Sequence, residues 1–401
     1  MSRSPNDPPR GSGGVSERPA VTVVGNPGHR RMAGFAAAAE AAGLPEPRLV
    51  AWRDVLTREP LAFAAGPVRI DSPGEDADVH TLLSGAPADP FRVEGGSARH
   101  AAFVAALGRI EAAVAASPGA WSVNDAGEIA VMFDKRRAHA VLAARGVALP
   151  RALTGPGAAP VRSYADLRRR MADARCPRVF VKPPHGSSAS GVVALETHGT
   201  TRVQATTSVE LVREAGGVAL YNSLRISRYR DEADIAALVD ALGGDCDAGG
   251  LHVEAWLPKL TLDGRATDLR VLVVAGRATH VVARSSRSPM TNLHLGNARG
   301  DVAAVRGAVG EDAWARAMAT CVRAAGCFPR TLHVGVDLLF AVDRRRHAVG
   351  EVNAFGDLLP GVLHQGRDTW GEQVHALVAG WRPAGSTGAA PRDEDRVPCP
   401  R

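Results

Sequence analysis

A chain of 401 residues is too long for one small hydrophobic core, so two or three packed units are expected. The formal net charge of +6 comes largely from arginine clusters, and only 4% of residues are aromatic, so a surface for stacking nucleic-acid bases is not supported. The five cysteines include no Cys-x-x-Cys pair, and no apolar run is long enough to span a membrane. Because the first residues also lack the apolar core of a secretory signal, we expect a cytoplasmic protein that binds neither nucleic acid nor membrane.

The first third of the chain predicts a small parallel sheet. Residues 1–19 are rich in Ser, Pro, Gly and Arg and are expected to form a disordered tail. A buried strand over 21–25, a helix over 31–42 and a second strand over 48–52 give a βαβ pattern. We therefore expect an α/β domain over residues 20–123.

The middle of the chain predicts helices and then a hairpin. Amphipathic helices are expected over 128–145 and 164–174. Strands over 178–182 and 192–196 flank a Gly/Ser loop over 185–191. This pattern indicates a hairpin with an exposed tip that is hinged by glycine.

The part of the chain after residue 250 is mostly strands. They are expected over 251–257, 268–275 and 278–283, followed by a helix over 312–325, a hairpin over 333–353, a helix over 369–379 and a disordered tail over 383–401. The alternation of Val/Leu-rich and Ala-rich runs along the whole chain predicts a mixed α/β fold of the α+β type.

The Gly/Ser loop is the first candidate for binding phosphate. The chain has neither a P-loop nor a dinucleotide-binding turn, so a nucleotide would need another device. A nucleophile elbow, and with it a serine hydrolase, is poorly supported because Ser190 stands at the second glycine position of that motif and no helix follows. Backbone N–H groups of a flexible flap can approach phosphate oxygens closely, and Lys182 supplies a positive charge. The alternative is an ordinary hairpin turn beside a solvated lysine.

The second hairpin carries a candidate site for a hard metal ion. Glu351 and Asn353 are two residues apart on one strand, so they share a face. An odd-numbered loop such as 343–347 pairs Asp337 with Asn353 and brings the three oxygen ligands together, whereas a two-residue turn points Asp337 away. Two carboxylates and an amide carbonyl suit Mg²⁺, or Mn²⁺, together with nucleotide phosphates. A solvated hairpin face is the alternative.

The two predicted strands that precede this hairpin in the chain carry or end in arginines. Asp268 and Arg270 share a strand face, and Arg284 and Arg287 stand at the end of the next strand. Such arginines can bind a phosphoryl or carboxylate oxygen through two hydrogen bonds. The histidines show no metal-binding or catalytic spacing.

The order of these motifs along residues 124 to 361 resembles the ATP-grasp superfamily. The pattern is nearest to its glutathione-synthetase-like and ribosomal-protein glutamate-ligase-like members. The matching motifs are Asp134-Lys135, Val179-Phe-Val-Lys182-Pro, Glu254-Ala-Trp256-Leu257, Asp268-Leu-Arg270, Arg284, Thr291-Asn292-Leu-His294 and Glu351-Val-Asn353. The resemblance implies a pre-ATP-grasp domain over 20–123, then a two-lobed ATP-grasp domain with a small, flap-bearing lobe over 124–253 and a C-terminal lobe over 254–382.

The resemblance also implies a role for each candidate residue. ATP would be held by seven residues of the first helix, the strand before the flap, the flap and the hinge: Lys135, Lys182, Ser187, Ser188, Glu254, Trp256 and Leu257. One or two Mg²⁺ ions would be held by Asp337, Glu351 and Asn353. The acyl-phosphate site would be lined by Arg270, Arg284 and Asn292, with His185 and His294 at best as substrate contacts. The acidic ribose contact of the family is replaced by Pro258-Lys259, and Asp263 is the nearest substitute.

The implied reaction is ADP-forming ligation. A carboxylate attacks the γ-phosphoryl group of ATP, and an amine then displaces phosphate from the acyl phosphate. The substrates are expected to be small-molecule or peptide carboxylates and amines. Many such ligases self-associate, so a homo-oligomer is compatible with the resemblance. Two alternatives stay open, namely modification of a peptide or protein and a catalytically silent nucleotide-binding regulator, although the complete set of metal ligands argues against the second.

Overall fold

The computed structural model describes residues 20–85, 89, 91–186, 189–199, 202–215 and 217–385, and only the backbone of His294. The predicted tails, apart from 383–385, and the flap residues Ser187 and Ser188 lie outside the described residues. Three sheets and eleven α-helices organise the described part of the chain. The predicted mixed α/β architecture is confirmed.

The first sheet is parallel, with strand order β2-β1-β3-β4. Its strands are β1 Thr22–Gly25, β2 Arg48–Ala51, β3 Gly66–Ile70 and β4 Ala120–Ser122, and its helices are α1 Arg30–Ala41, α2 Trp52–Thr57, α3 Ala77–Ser84 and α4 Gly96–Ala116. Strands β1 and β3 are buried at every residue because helices cover both faces of the sheet.

Two short helices replace the single helix predicted over 128–145. They are α5 Ala126–Met132 and α6 Lys135–Ala144. Asp134 breaks the run because its side chain accepts the N–H groups of Arg136 and Arg137 and so caps a new helix. Lys135 therefore begins α6 instead of lying within a continuous helix.

The second sheet is antiparallel, with strand order β8-β7-β6-β5-β9. Its strands are β5 Arg178–Lys182, β6 Val193–His198, β7 Arg202–Glu214, β8 Gly217–Tyr229 and β9 His252–Ala255, and helices α7 Tyr164–Asp173 and α8 Glu232–Gly244 pack beside it. The predicted β5–β6 hairpin is confirmed. The strand predicted over 251–257 ends at Ala255, so Trp256 and Leu257 lie just beyond it.

The third sheet has the path β13-β12-β11-β14-β15, with β10 paired to β11. Its strands are β10 Thr261–Leu262, β11 Arg265–Val274, β12 Arg277–Ser286, β13 Ala298–Gly300, β14 His333–Phe340 and β15 His347–Asn353, and the last helices are α9 Val302–Val309, α10 Glu311–Ala325 and α11 Thr369–Val378. Helices α5, α6 and α10 share one hydrophobic core with this sheet. Within the described ranges, no helix has both the length and the apolar character needed to cross a bilayer.

Candidate active site

The β14–β15 hairpin brings the predicted metal ligands to one face, but not by the predicted pairing. The turn spans 341–346, an even number of residues, which on its own would place Asp337 opposite Gly350. The register shifts at Gly350, so that Asp337 pairs with Glu351, and Gly335 pairs with Asn353. The predicted pairing of Asp337 with Asn353 is therefore wrong. The one-residue bulge compensates for the even turn and leaves all three side chains on the same face.

Two arginines approach the carboxylate of Asp337 from the neighbouring strands. Arg270 Nε donates to Asp337 Oδ1 at 2.5 Å, and Arg284 Nη2 lies 3.2 Å from Asp337 Oδ2. Burial alone would raise the pKa of Asp337, but Arg270 and Arg284 outweigh it and hold the pKa below its usual value. Asp337 is therefore ionised at neutral pH.

Asp268 is buried next to Arg284 and accepts hydrogen bonds from three side chains. Its Oδ1 accepts a 2.7 Å hydrogen bond from Arg284 Nε, and its Oδ2 accepts one of 2.8 Å from Lys259 Nζ. The hydroxyl of Thr291 also donates to Asp268. The sequence singled out Asp268 only as a strand neighbour, and it assigned no role to Lys259. The buried contacts of Lys259 show that its side chain turns inward.

The two lysines predicted to bind phosphate point toward the carboxylates. Lys135 Nζ lies 3.2 Å from Glu351 Oε1 and donates to the Gly186 carbonyl at the root of the flap at 2.6 Å. Lys182 Nζ lies 2.6 Å from Glu254 Oε1. These contacts bring together α6, Gly186 at the root of the flap, β9 and the β14–β15 hairpin.

The predicted adenine hinge is only partly available to a ligand. Glu254 is buried, and its carboxylate is held by Lys182 and by His252 at 3.3 Å. The backbone N–H of Trp256 donates to the Arg178 carbonyl, so this donor is not available to adenine. Trp256 and Leu257 border an open cavity, and a second cavity next to it is lined by Lys135, Lys182 and residues 349–352.

The remaining candidates lie around this centre. Asn292 follows Thr291 directly, and its carbonyl accepts a 2.9 Å hydrogen bond from Asn297. His185 does not join the lysines, since its ring stacks on His100 with centroids 3.7 Å apart and lies beside Asp247. Arg287 and Asp263 are exposed. Ser187, Ser188 and the side chain of His294 fall outside the described part of the chain.

The residues of the hairpin fit a Mg²⁺ ion. Asp337 and Glu351 present two carboxylates from adjacent strands, and each oxygen of Asp337 keeps a lone pair after accepting one arginine. The side-chain nitrogen of Asn353 is buried and has no hydrogen-bond partner among the described residues. An unsatisfied buried N–H donor is costly, and an oxygen-bearing ligand in the cleft would satisfy it.

The Lys182–Glu254 pair predicts a pH dependence of stability. Burial alone would raise the pKa of Glu254, but the Lys182 charge and the His252 bond outweigh it and lower that pKa to about 2. A depressed folded-state pKa gives stability that is present above the unfolded value of 4.5 and is lost as the pH falls toward 2. We expect the difference in unfolding free energy between wild type and Glu254→Gln to be constant above about pH 6 and to shrink below about pH 4.5 in denaturant titrations. A difference that grows on acidification would contradict this assignment.

Gly335 allows the chain after β15 to pass close to β14. A Cβ at Gly335 would lie 2.6 Å from the Cα of Gly356, and neither backbone can yield easily. We expect Gly335→Ala to cost about 1–3 kcal/mol in urea unfolding and to weaken metal binding, because Asn353 pairs with residue 335. Gly108→Ala is the matched control, because nothing lies within 4 Å of its Cβ position. It should be neutral or slightly stabilising.

Comparison with solved structures shows that this fold is similar to the fold of ATP-grasp ligases. No protein-family model matches the chain, and no curated protein does. D-cycloserine synthetase DcsG is 16% identical with a TM-score of 0.53, over 90% of this chain and 99% of that one. ATP-grasp ligase PsnB, complexed with a phosphomimetic variant of minimal precursor, Mg and ADP, is 17% identical with a TM-score of 0.50, over 90% and 97%. Macrocyclase MdnC from Microcystis aeruginosa MRC, bound with precursor peptide MdnA, is 11% identical with a TM-score of 0.50, over 90% and 99%.

Proposed function

From the ATP-grasp fold and the chemistry of its cleft, we propose that this protein is an ATP- and Mg²⁺-dependent ligase that joins a carboxylate to an amine through an acyl phosphate. The observation that carries the proposal is a set of partly buried ion pairs on the β14–β15 hairpin, where Lys135 contacts Glu351 and two arginines contact Asp337. Lys182, which pairs with Glu254, lines the same cavity as Lys135 and Glu351. An ordinary protein surface rarely gathers so many partly buried charges without a ligand.

The nucleotide would lie between the second and third sheets. Lys135 and Lys182 would bind its phosphates, and the flap hydroxyls of Ser187 and Ser188 would cover them. Adenine would rest against Trp256 and Leu257, which border the cavity at the hinge. Mg²⁺, held by Asp337, Glu351 and Asn353, would offset charge on the phosphate oxygens.

Arg270, Arg284 and Asn292 would orient the reacting groups. A substrate carboxylate oxygen attacks the γ-phosphorus, the bond to ADP breaks, and the two arginines stabilise the charge that spreads over the transferred oxygens. The amine then attacks the acyl carbon, loses a proton and expels phosphate. The Lys135 hydrogen bond to the Gly186 carbonyl ties the flap root to the site, which favours exclusion of water from the acyl phosphate.

A peptide is the second candidate for the substrate. Two proteins with this fold, PsnB and MdnC, were solved with precursor peptides, whereas DcsG makes a small molecule. The net charge of +6 suits an acidic peptide.

The test is nucleotide binding followed by trapping of the acyl phosphate. We expect AMP-PNP to bind wild type in calorimetry only with Mg²⁺ or Mn²⁺ present. Carboxylates, including acidic peptides, are then screened with ATP and hydroxylamine, which converts an acyl phosphate to a hydroxamate. Absence of metal-dependent binding in wild type would reject the proposal. Binding without hydroxamate or phosphate release for any carboxylate tested would favour the silent regulator.

A further inference from the structure

The lysines of this chain have an unusual distribution. Only three of its 48 Lys and Arg residues are lysine, namely Lys135, Lys182 and Lys259. The side chains of all three are largely buried at the candidate site, with exposures of 11%, 13% and 9%. Every other cationic position, including the whole exposed surface, carries arginine. Within this chain, lysine therefore occurs only at the candidate site.

Lys259 is anchored on both sides of its backbone. The Leu260 N–H donates to the Phe340 carbonyl at 2.7 Å, and the Val342 N–H donates to the Pro258 carbonyl at 3.0 Å. These bonds fix the segment after the hinge against the end of β14. The backbone on either side of Lys259 is therefore held in place independently of the contacts of its ammonium.

The ammonium of Lys259 joins two parts of the site. It donates to Asp268 Oδ2 and to Thr291 Oγ1, each at 2.8 Å. Through Asp268 it acts on Arg284, whose other end lies at Asp337. Through Thr291 it acts on the loop 288–297, which carries Asn292.

We propose that Lys259 is a third functional lysine of the site, a positioning residue that holds Arg284 and the loop 288–297 in place for the acyl-transfer step. This inference rests on the proposed function. Lysine suits the position because a compact ammonium can donate to two oxygens in a closed space, whereas a guanidinium is a larger planar fork. The ammonium lies between one carboxylate, Asp268, and one hydroxyl, Thr291, and the Lys259 side chain is only 9% exposed, so a larger arginine head would have to displace its neighbours.

The scarcity of lysine makes a direct spectroscopic test practical. Full-length protein labelled with [ε-¹³C]lysine should give three side-chain signals, which Lys→Arg variants assign. Mg²⁺–AMP-PNP should shift the signals of Lys135 and Lys182. Thr291→Val, which removes one partner of Lys259 and no charge, should shift the Lys259 signal alone. If the chemical shift of Lys259 is the same in Thr291→Val and in wild type, the proposed contact is overturned.

The positioning role is tested with Lys259→Arg and Lys259→Met. We expect both variants to raise hydrogen–deuterium exchange in the loop 288–297 by about tenfold, while Mg²⁺–AMP-PNP affinity changes by less than about threefold. Arg344→Lys, an exposed exchange of the same two residue types, should leave both measurements unchanged. If Lys259→Met fails to fold, Thr291→Val is expected to give the same rise in loop exchange.

Two results would overturn the proposal. If the loop 288–297 of Lys259→Arg exchanges hydrogen for deuterium at the wild-type rate, lysine is not required at this position. A loss of nucleotide affinity of about tenfold or more would make Lys259 a direct ligand contact instead of a positioning residue. Failure of the proposed function would give a different result, because wild type itself would then not bind Mg²⁺–AMP-PNP. Hydrogen–deuterium exchange of the loop 288–297 could still be compared between wild type and the Lys259 variants in that case.

Discussion

Replacing Glu351 by glutamine is expected to lower the affinity for Mg²⁺–AMP-PNP by about 100-fold or more and to remove its dependence on metal. Glu351 faces Asp337 across the hairpin, and neutralising it takes away half of the carboxylate charge offered to the ion. Calorimetric titration of AMP-PNP with and without Mg²⁺ measures the effect, and direct Mn²⁺ titration provides a second readout.

Glu311→Gln is the matched control for this substitution. Glu311 is an exposed carboxylate at the start of α10 and pairs with Arg306. The Glu311→Gln variant should bind nucleotide like wild type, because an exposed ion pair contributes little to stability. Thermal unfolding of Glu351→Gln should stay close to wild type, because Lys135 keeps its bond to the Gly186 carbonyl. Unchanged metal dependence in Glu351→Gln would remove this residue from the proposed metal site.

The sequence predicted strand β5 and helix α10 well because their signals are local. Strand β5 was predicted with its observed bounds, 178–182, and the helix ending at Ala325 was predicted to within one residue. In contrast, β7 and β8 were not predicted. Each is 13 residues long with many exposed and half-buried positions, and a bulge near Ser208 disturbs their alternation.

The parts of the site that escaped prediction depend on long-range contacts. The same-face arrangement of Asp337 and Glu351 required a bulge at Gly350, which sequence periodicity does not reveal. The burial of Lys259 depends on Asp268 and Thr291, which other strands and loops bring to it. Residue types and spacing can indicate which side chains carry charge, but the pairs that they form are set by packing between sheets.

The Lys182→Met substitution is expected to have the largest effect on stability. Glu254 would be left as a buried carboxylate with only His252 beside it, and breaking a buried ion pair on one side costs about 3–5 kcal/mol. Urea unfolding at neutral pH measures this loss. Nucleotide affinity should fall as well, since Lys182 is a proposed phosphate contact.

A double variant separates these two effects. Lys182→Met with Glu254→Gln removes both charges of the pair, so we expect it to regain most of the lost unfolding free energy, as buried pairs can often be replaced by neutral groups at little cost. Nucleotide binding should not return with it, because the missing ammonium has no replacement near the phosphates. If the double variant binds Mg²⁺–AMP-PNP as tightly as wild type, Lys182 serves only to neutralise Glu254, and Lys135 must carry the phosphate contact alone.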